Sequence, residues 1–204
     1  HISICAAHGV IHLAVRSVIF NFAEKGTGTL GNIQITAHDL RLRHVSAIGG
    51  HNSSIPIPGS TQVAGNIEIT LDGHLNLAAG SFINTGTFGS ANSADLIIKA
   101  PNILVTGEKS SLFTGTISSG AGGRLRLFTD NLQLTNGGKV LSNSAVGFTE
   151  EIPSGSGGVI NIQGLRSPGT VIAIDGPGSG IFTSREGTGD GGAIKLSAQS
   201  HNMT

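Results

Sequence analysis

Carboxylates are the first residues to weigh, because a lyase or glycosidase acting on polysaccharide clusters them for metal binding or for acid and base duty. Six aspartates, Asp39, Asp72, Asp95, Asp130, Asp175 and Asp190, are strung along the 204 residues rather than gathered. Asp39, Asp72 and Asp130 fall where the chain is expected to turn after an alternating strand, a place where Asp closes side-chain turns. Structural duty is the expectation for them. Glu150 and Glu151 are the only adjacent acids, and neighbours in an extended chain point to opposite sides. They read as a solvated loop.

Histidine is skewed toward the start, with seven of eight in the first 74 residues. His8, His38 and His74 fall near one turn in three consecutive units of the pattern described below. Stacked imidazoles would bind a transition metal or titrate together at about pH 6. Their registers differ by one or two residues, however, and no Cys or carboxylate completes a ligand set. The single cysteine, Cys5, has no cationic neighbour to activate it and alternates away from the core. No catalytic, cofactor-binding or metal-ligating residue is therefore assigned, and no cofactor is expected.

Composition removes other classes. Lys plus Arg and Asp plus Glu are equal at 12 each, so no net field draws nucleic acid or an anionic membrane. The eight phenylalanines are the only aromatics, and their positions read as internal. The opening run "HISICAAHGVIHLAVRSVIF" is broken by His1, His8, His12 and Arg16 before about 18 apolar residues accumulate. It reads as two strands, not as a signal or a membrane span.

The elements that position these residues come from a repeat. The pattern Gly-x-apolar-x-apolar starts at Gly31, Gly65, Ala94, Gly123, Gly158 and Gly192, and "HISICA" fits one step earlier. Starts 29 to 35 residues apart signal stacked units rather than a closed globule. Apolar residues alternate within each unit, as in Ile33, Ile35, Ala37 or Leu125, Leu127, which is the period of a half-buried strand. A third apolar pair follows, such as Val18–Ile19, Phe82–Ile83 or Val140–Leu141. Three short strands per unit, joined by Gly, Ser, Asn and Asp turns, predict an all-β parallel β-helix. About six to seven coils of roughly 29–35 residues are expected, over a single segment, residues 1–204.

The blocks "GSGGVINIQ" and "GDGGAIKLSAQ", followed by "LFTG" or "IFTS" segments, resemble the repeats of the filamentous haemagglutinin family of two-partner secretion exoproteins. The resemblance spans essentially the whole chain and is weakest over residues 1–30. It implies a right-handed β-helix, secretion through an outer-membrane partner transporter, and display at a bacterial cell surface. It also implies an adhesive role toward a host or neighbouring-cell surface glycan or protein. The family's amino-terminal secretion domain and Asn-Pro motifs are absent, so secretion is implied by the resemblance alone; the chain begins without Met and already inside the repeat, and is read as a fragment of a longer exoprotein whose export signal, if any, lies upstream.

The expected function is thus a non-enzymatic structural or adhesive rod segment, with no nucleic-acid partner and no membrane insertion. The alternative is a fragment of a polysaccharide-active, pectin lyase-like β-helix enzyme. "GTGDGG" at 187–192 resembles one copy of a calcium-binding nonapeptide and reads as a turn, since that motif works by stacking several copies. Residues 49–64 and 146–157 lengthen their units and carry proline, which a central ladder does not accept. Extended loops on a rigid scaffold are where recognition is expected.

Overall fold

In the computed structural model, residues 1–23, 30–52, 65–87, 90–144, 155–166, 170–185 and 188–203 are described. They form eighteen strands, β1 to β18 along the chain, and no helix. Every pairing among them is parallel, between segments about one unit of the repeat apart: Ile67 lies against Leu96, and Leu125 against Ile160. The architecture is that of a solenoid-like parallel β structure with three rows of strands.

The first row contains the start of β1 (Ile2–Leu13) and of β3 (Ile33–Leu42), then β5 (Ile67–Leu71), β8 (Leu96–Lys99), β11 (Arg124–Phe128), β14 (Val159–Gln163) and β17 (Ala193–Leu196). The second contains the ends of β1 and β3, then β6 (His74–Ala78), β9 (Asn102–Thr106), β12 (Asn131–Thr135), β15 (Thr170–Asp175) and β18 (Ala198–Met203). These two rows form one curled sheet because β3 pairs with β5 through its first half and with β6 through its second. The third row is a separate six-stranded sheet: β2 (Val18–Ala23), β4 (Ala47–Asn52), β7 (Phe82–Thr87), β10 (Ser111–Thr116), β13 (Lys139–Ser144) and β16 (Gly180–Arg185).

Alternation turns every second side chain inward, and in-register parallel pairing stacks like positions along the axis, where strands lie about 4.8 Å apart. Ile33, Ile67, Leu96 and Leu125 form one such file and are each at most 1% exposed. Ile35, Ile69, Ile98 and Leu127 form the next, and both belong to one continuous core with files from the other rows. Burying an aliphatic side chain of this size contributes about 1.5–3 kcal/mol. The core is thus a sum of near-identical layers.

The corner before the first row explains its glycines. A Cβ at Gly123 would strike the carbonyl oxygen of Ala94, one at Gly65 that of Gly31, and one at Gly158 that of Gly123. Neighbouring backbones approach too closely there for most side chains.

The corner between the second and third rows is built differently. It uses left-handed residues: Val15 and Arg16, His44 and Val45, Ala79 and Gly80, Asn136 and Gly137. A serine follows at Ser17, Ser46, Ser81, Ser110 and Ser179. Ser81 Oγ accepts the amide of Ser46 at 3.1 Å, and Ser110 Oγ accepts that of Gly80 at 3.0 Å. Each hydroxyl thus satisfies an N–H of the preceding bend.

Two expectations are corrected. None of the described phenylalanines lies in the core; Phe20 is 38% and Phe182 42% exposed. In the third row only one member of each apolar pair faces inward, namely Ile48, Ile83, Leu112 and Val140 among those buried, and the rings go outside. There they cover glycine: Phe20 lies over Gly49, Phe113 over Gly115 and Phe182 over Gly180. Asp39, in turn, is not at a bend, because β3 runs straight through it.

The inward positions after Ile83, Leu112 and Val140 carry hydroxyls. Thr85, Thr114 and Ser142 are fully buried, and Thr85 Oγ1 lies 2.8 Å from the carbonyl of Ala94 and 3.1 Å from Thr114 Oγ1. The interior is therefore apolar along the first two rows and hydroxyl-lined near the corner that closes the unit.

Candidate functional site

Three of the aspartates, Asp39, Asp95 and Asp130, are consumed by backbone. Asp39 is 5% exposed; its Oδ1 accepts the amide of His74 at 2.8 Å, and its Oδ2 pairs with Arg41 at 2.8 Å. Burial pushes its carboxyl up, but the His74 amide, Arg41 and the neighbouring His38 outweigh this and hold it below the ordinary value. Asp95 accepts the amide of Arg124 at 2.9 Å and pairs with Arg126 at 2.9 Å. Asp130 accepts the amides of Leu165 and Arg166 at 3.1 and 3.2 Å, which fixes the bend between β14 and β15. In each case a carboxylate ties one unit of the stack to the next. Asn32 and Asn66 do the same, accepting the amides of Asn66 and Asp95 at 3.0 and 3.1 Å.

The three histidines do not share a file. His74 stands opposite Asn102 in the second row. His8 sits in the irregularity of β1 between Ala6 and Val10. His38 bonds to Asp72 through Nδ1 at 2.5 Å. Among the described residues, no group of three or more His, Cys, Asp or Glu could hold a metal ion. Cys5 is exposed, as its register requires. Asp190 is exposed, and its carbonyl accepts the amide of Gly157 at 2.9 Å. Glu150 and Glu151, and most of the loops 49–64 and 146–157, lie outside the described residues.

The feature that remains is a groove of about 390 Å³ along the outer face of the second row. β3 supplies Arg41, the residue just after its end is Arg43, and β6 supplies His74 and Asn76. Farther along the axis come Asn102 and Leu104 of β9, then Asn131 and Gln133 of β12. Parallel register produces this arrangement: His74, Asn102 and Asn131 occupy one file, and Arg41, Asn76, Leu104 and Gln133 the next. Asn131 Nδ2 donates to Asn102 Oδ1 at 3.0 Å, which locks the two amides into a ladder. No carboxylate lines the groove.

Reasoning from the sequence did not single this groove out. The available signal was the repeat alignment itself, which stacks Asn102 directly on Asn131. A smaller depression of about 150 Å³ on the first row holds Glu68, Lys99, Arg126 and Phe128, with the Lys99 ammonium 5.9 Å from the Phe128 ring. Its charges are of both signs.

No protein-family model, no curated protein and no solved structure matches this chain.

Proposed function

We propose that the chain is a non-enzymatic rod segment of a secreted bacterial surface exoprotein of filamentous haemagglutinin type, wound as a right-handed parallel β-helix of about six to seven coils. The observation that carries this reading is the commitment of Asp39, Asp95 and Asp130 to amides of the neighbouring unit. Those three carboxylates are spent on holding the stack together, and Asp72, which approaches Asp39 across His38, is paired with that imidazole. Such a molecule does its work by its form: it spans distance and presents its outer faces and loops. Export through an outer-membrane partner transporter, and contact with a glycan or protein on another cell, belong to the same reading.

The test is location and inertness together. Antibody raised against the segment should label intact producing cells, or recover the protein from their medium. The purified chain, incubated with polygalacturonate with and without calcium, should release neither unsaturated products nor reducing ends. Strictly internal labelling would defeat the surface role, and product release would establish the enzyme alternative in its place.

A further inference from the structure

The groove on the second row keeps polar groups that the stack does not use, and their chemistry is specific enough to name a ligand. Among the described residues Arg43 is exposed and makes no ion pair, so its guanidinium is uncommitted. Arg41 is already bound to Asp39 at 2.8 Å. The Asn102–Asn131 bond uses one hydrogen and one lone pair, leaving Asn131 Oδ1 and Asn102 Nδ2 without a partner. Gln133 stands beside them with a free amide.

A row of amides offering both donors and acceptors suits hydroxyl groups, which are themselves both donor and acceptor. A single free guanidinium at one end suits one carboxylate, bound in fork geometry. The axial spacing of about 4.8 Å between successive strands is close to the advance of one sugar ring in an extended glycan, so successive amides meet successive rings.

The alternatives fit less well. A nucleic acid would require several phosphate-neutralising cations and a run of aromatic platforms for its bases, and the groove has one uncommitted guanidinium and only the His74 imidazole as a ring. A densely sulfated chain would meet the same shortage of positive charge. An apolar peptide would leave the amides unpaired.

We propose that this groove binds an extended glycan of low charge density through a carboxylated sugar, with Arg43 taking the carboxylate and Asn102, Asn131 and Gln133 taking ring hydroxyls. The proposal deepens the surface-display reading by naming a partner class, and it rests on the groove rather than on the location of the protein.

Isothermal titration calorimetry on the full chain tests it with a panel of short oligomers carrying galacturonate, glucuronate or sialate, alongside their methyl esters. At least one acid oligomer should bind saturably. Its ester should bind about tenfold more weakly, as expected for loss of one charge-assisted hydrogen bond. Arg43→Gln should reproduce that loss with the acid oligomer and leave the ester unaffected. Asn131→Ala should weaken acid and ester alike, and the affinity should fall with salt as for a single ion pair. Both substituted side chains are exposed, so unchanged melting curves would establish that the fold is intact.

Absence of binding across the panel, equal affinity for acid and ester, or indifference to Arg43→Gln would each overturn the proposal. Tighter, steeply salt-dependent binding of a densely sulfated chain would also overturn it, by making general charge the cause. None of these results would move the protein from the cell surface, so failure here is separable from failure of the surface-display reading.

Discussion

Val15, His44 and Val45 hold left-handed backbone with φ of 56°, 57° and 62°, at a corner where three later units place Gly80, Gly137 and Gly178. For a β-branched residue that conformation costs about 1–2 kcal/mol, while glycine would lose somewhat more entropy on folding. Val45 is 52% exposed and gives up little packing. Val45→Gly is therefore expected to stabilise the protein by about 1 kcal/mol, read as a rise in melting temperature. A fall would show that the side chain packs usefully against the bend.

His51 makes a second prediction at this scale. Its ring meets Phe20 edge-on, with centroids 5.0 Å apart, and burial lowers its pKa from the ordinary 6.5. Between the lowered value and 6.5 the unfolded chain binds more protons than the folded one, so stability must drop as pH falls through that window. Thermal melts between pH 7 and pH 5 should show the decline, and His51→Phe should flatten it whatever its absolute stability. Asp39 acts lower on the scale: its lowered pKa gives stability that is present above the ordinary carboxylate value of 3.8 and is lost as pH falls through the folded value.

At the scale of the element, the decisive contact is backbone against backbone at the corner before the first row. Gly123→Ala would drive a methyl into the Ala94 carbonyl, and main chain cannot swing aside as a flexible side chain can. A loss on the order of 3 kcal/mol is expected, measurable by denaturant unfolding. Gly191→Ala, where a Cβ meets nothing within 4 Å, should be nearly neutral and serves as the control.

The strands and their pairing were legible in the residues because period-two alternation fixes which side faces inward. The spacing of Gly31, Gly65, Ala94 and Gly123 then fixes which strand lies on which. The orientation of phenylalanine was not legible. A pair such as Phe82–Ile83 fits the third row in either phase, and only the buried hydroxyls two and four positions later select isoleucine for the interior. Nor could β3 be seen to run unbroken past Asp39, because a buried, amide-bound aspartate looks in sequence like any turn aspartate. The groove was hidden for another reason: it is assembled from residues of four strands that meet only once the register is set.

At the scale of the molecule, each layer of the core touches chiefly the layers on either side, so damage should spread along the axis. Leu127 is fully buried in the file that runs from Ile98 to Ile162. Leu127→Ala should lose about 2–5 kcal/mol. Ile35→Asp should abolish folding or cause aggregation, because an unpaired carboxylate would enter that file. Normal melting of the Ile35→Asp variant would contradict the packing described here.

Two successive steps of equal length carry a consequence for inheritance. Leu125 follows Leu96 at the same interval of 29 residues that separates Leu96 from Ile67. Excising 94–122 would bring Gly123 to the place Ala94 now occupies, with each aliphatic meeting its own kind across the splice. A gene of this sort can shorten or extend its product in whole increments by unequal crossing-over, and selection can tune how far the molecule extends without redesigning how it holds together.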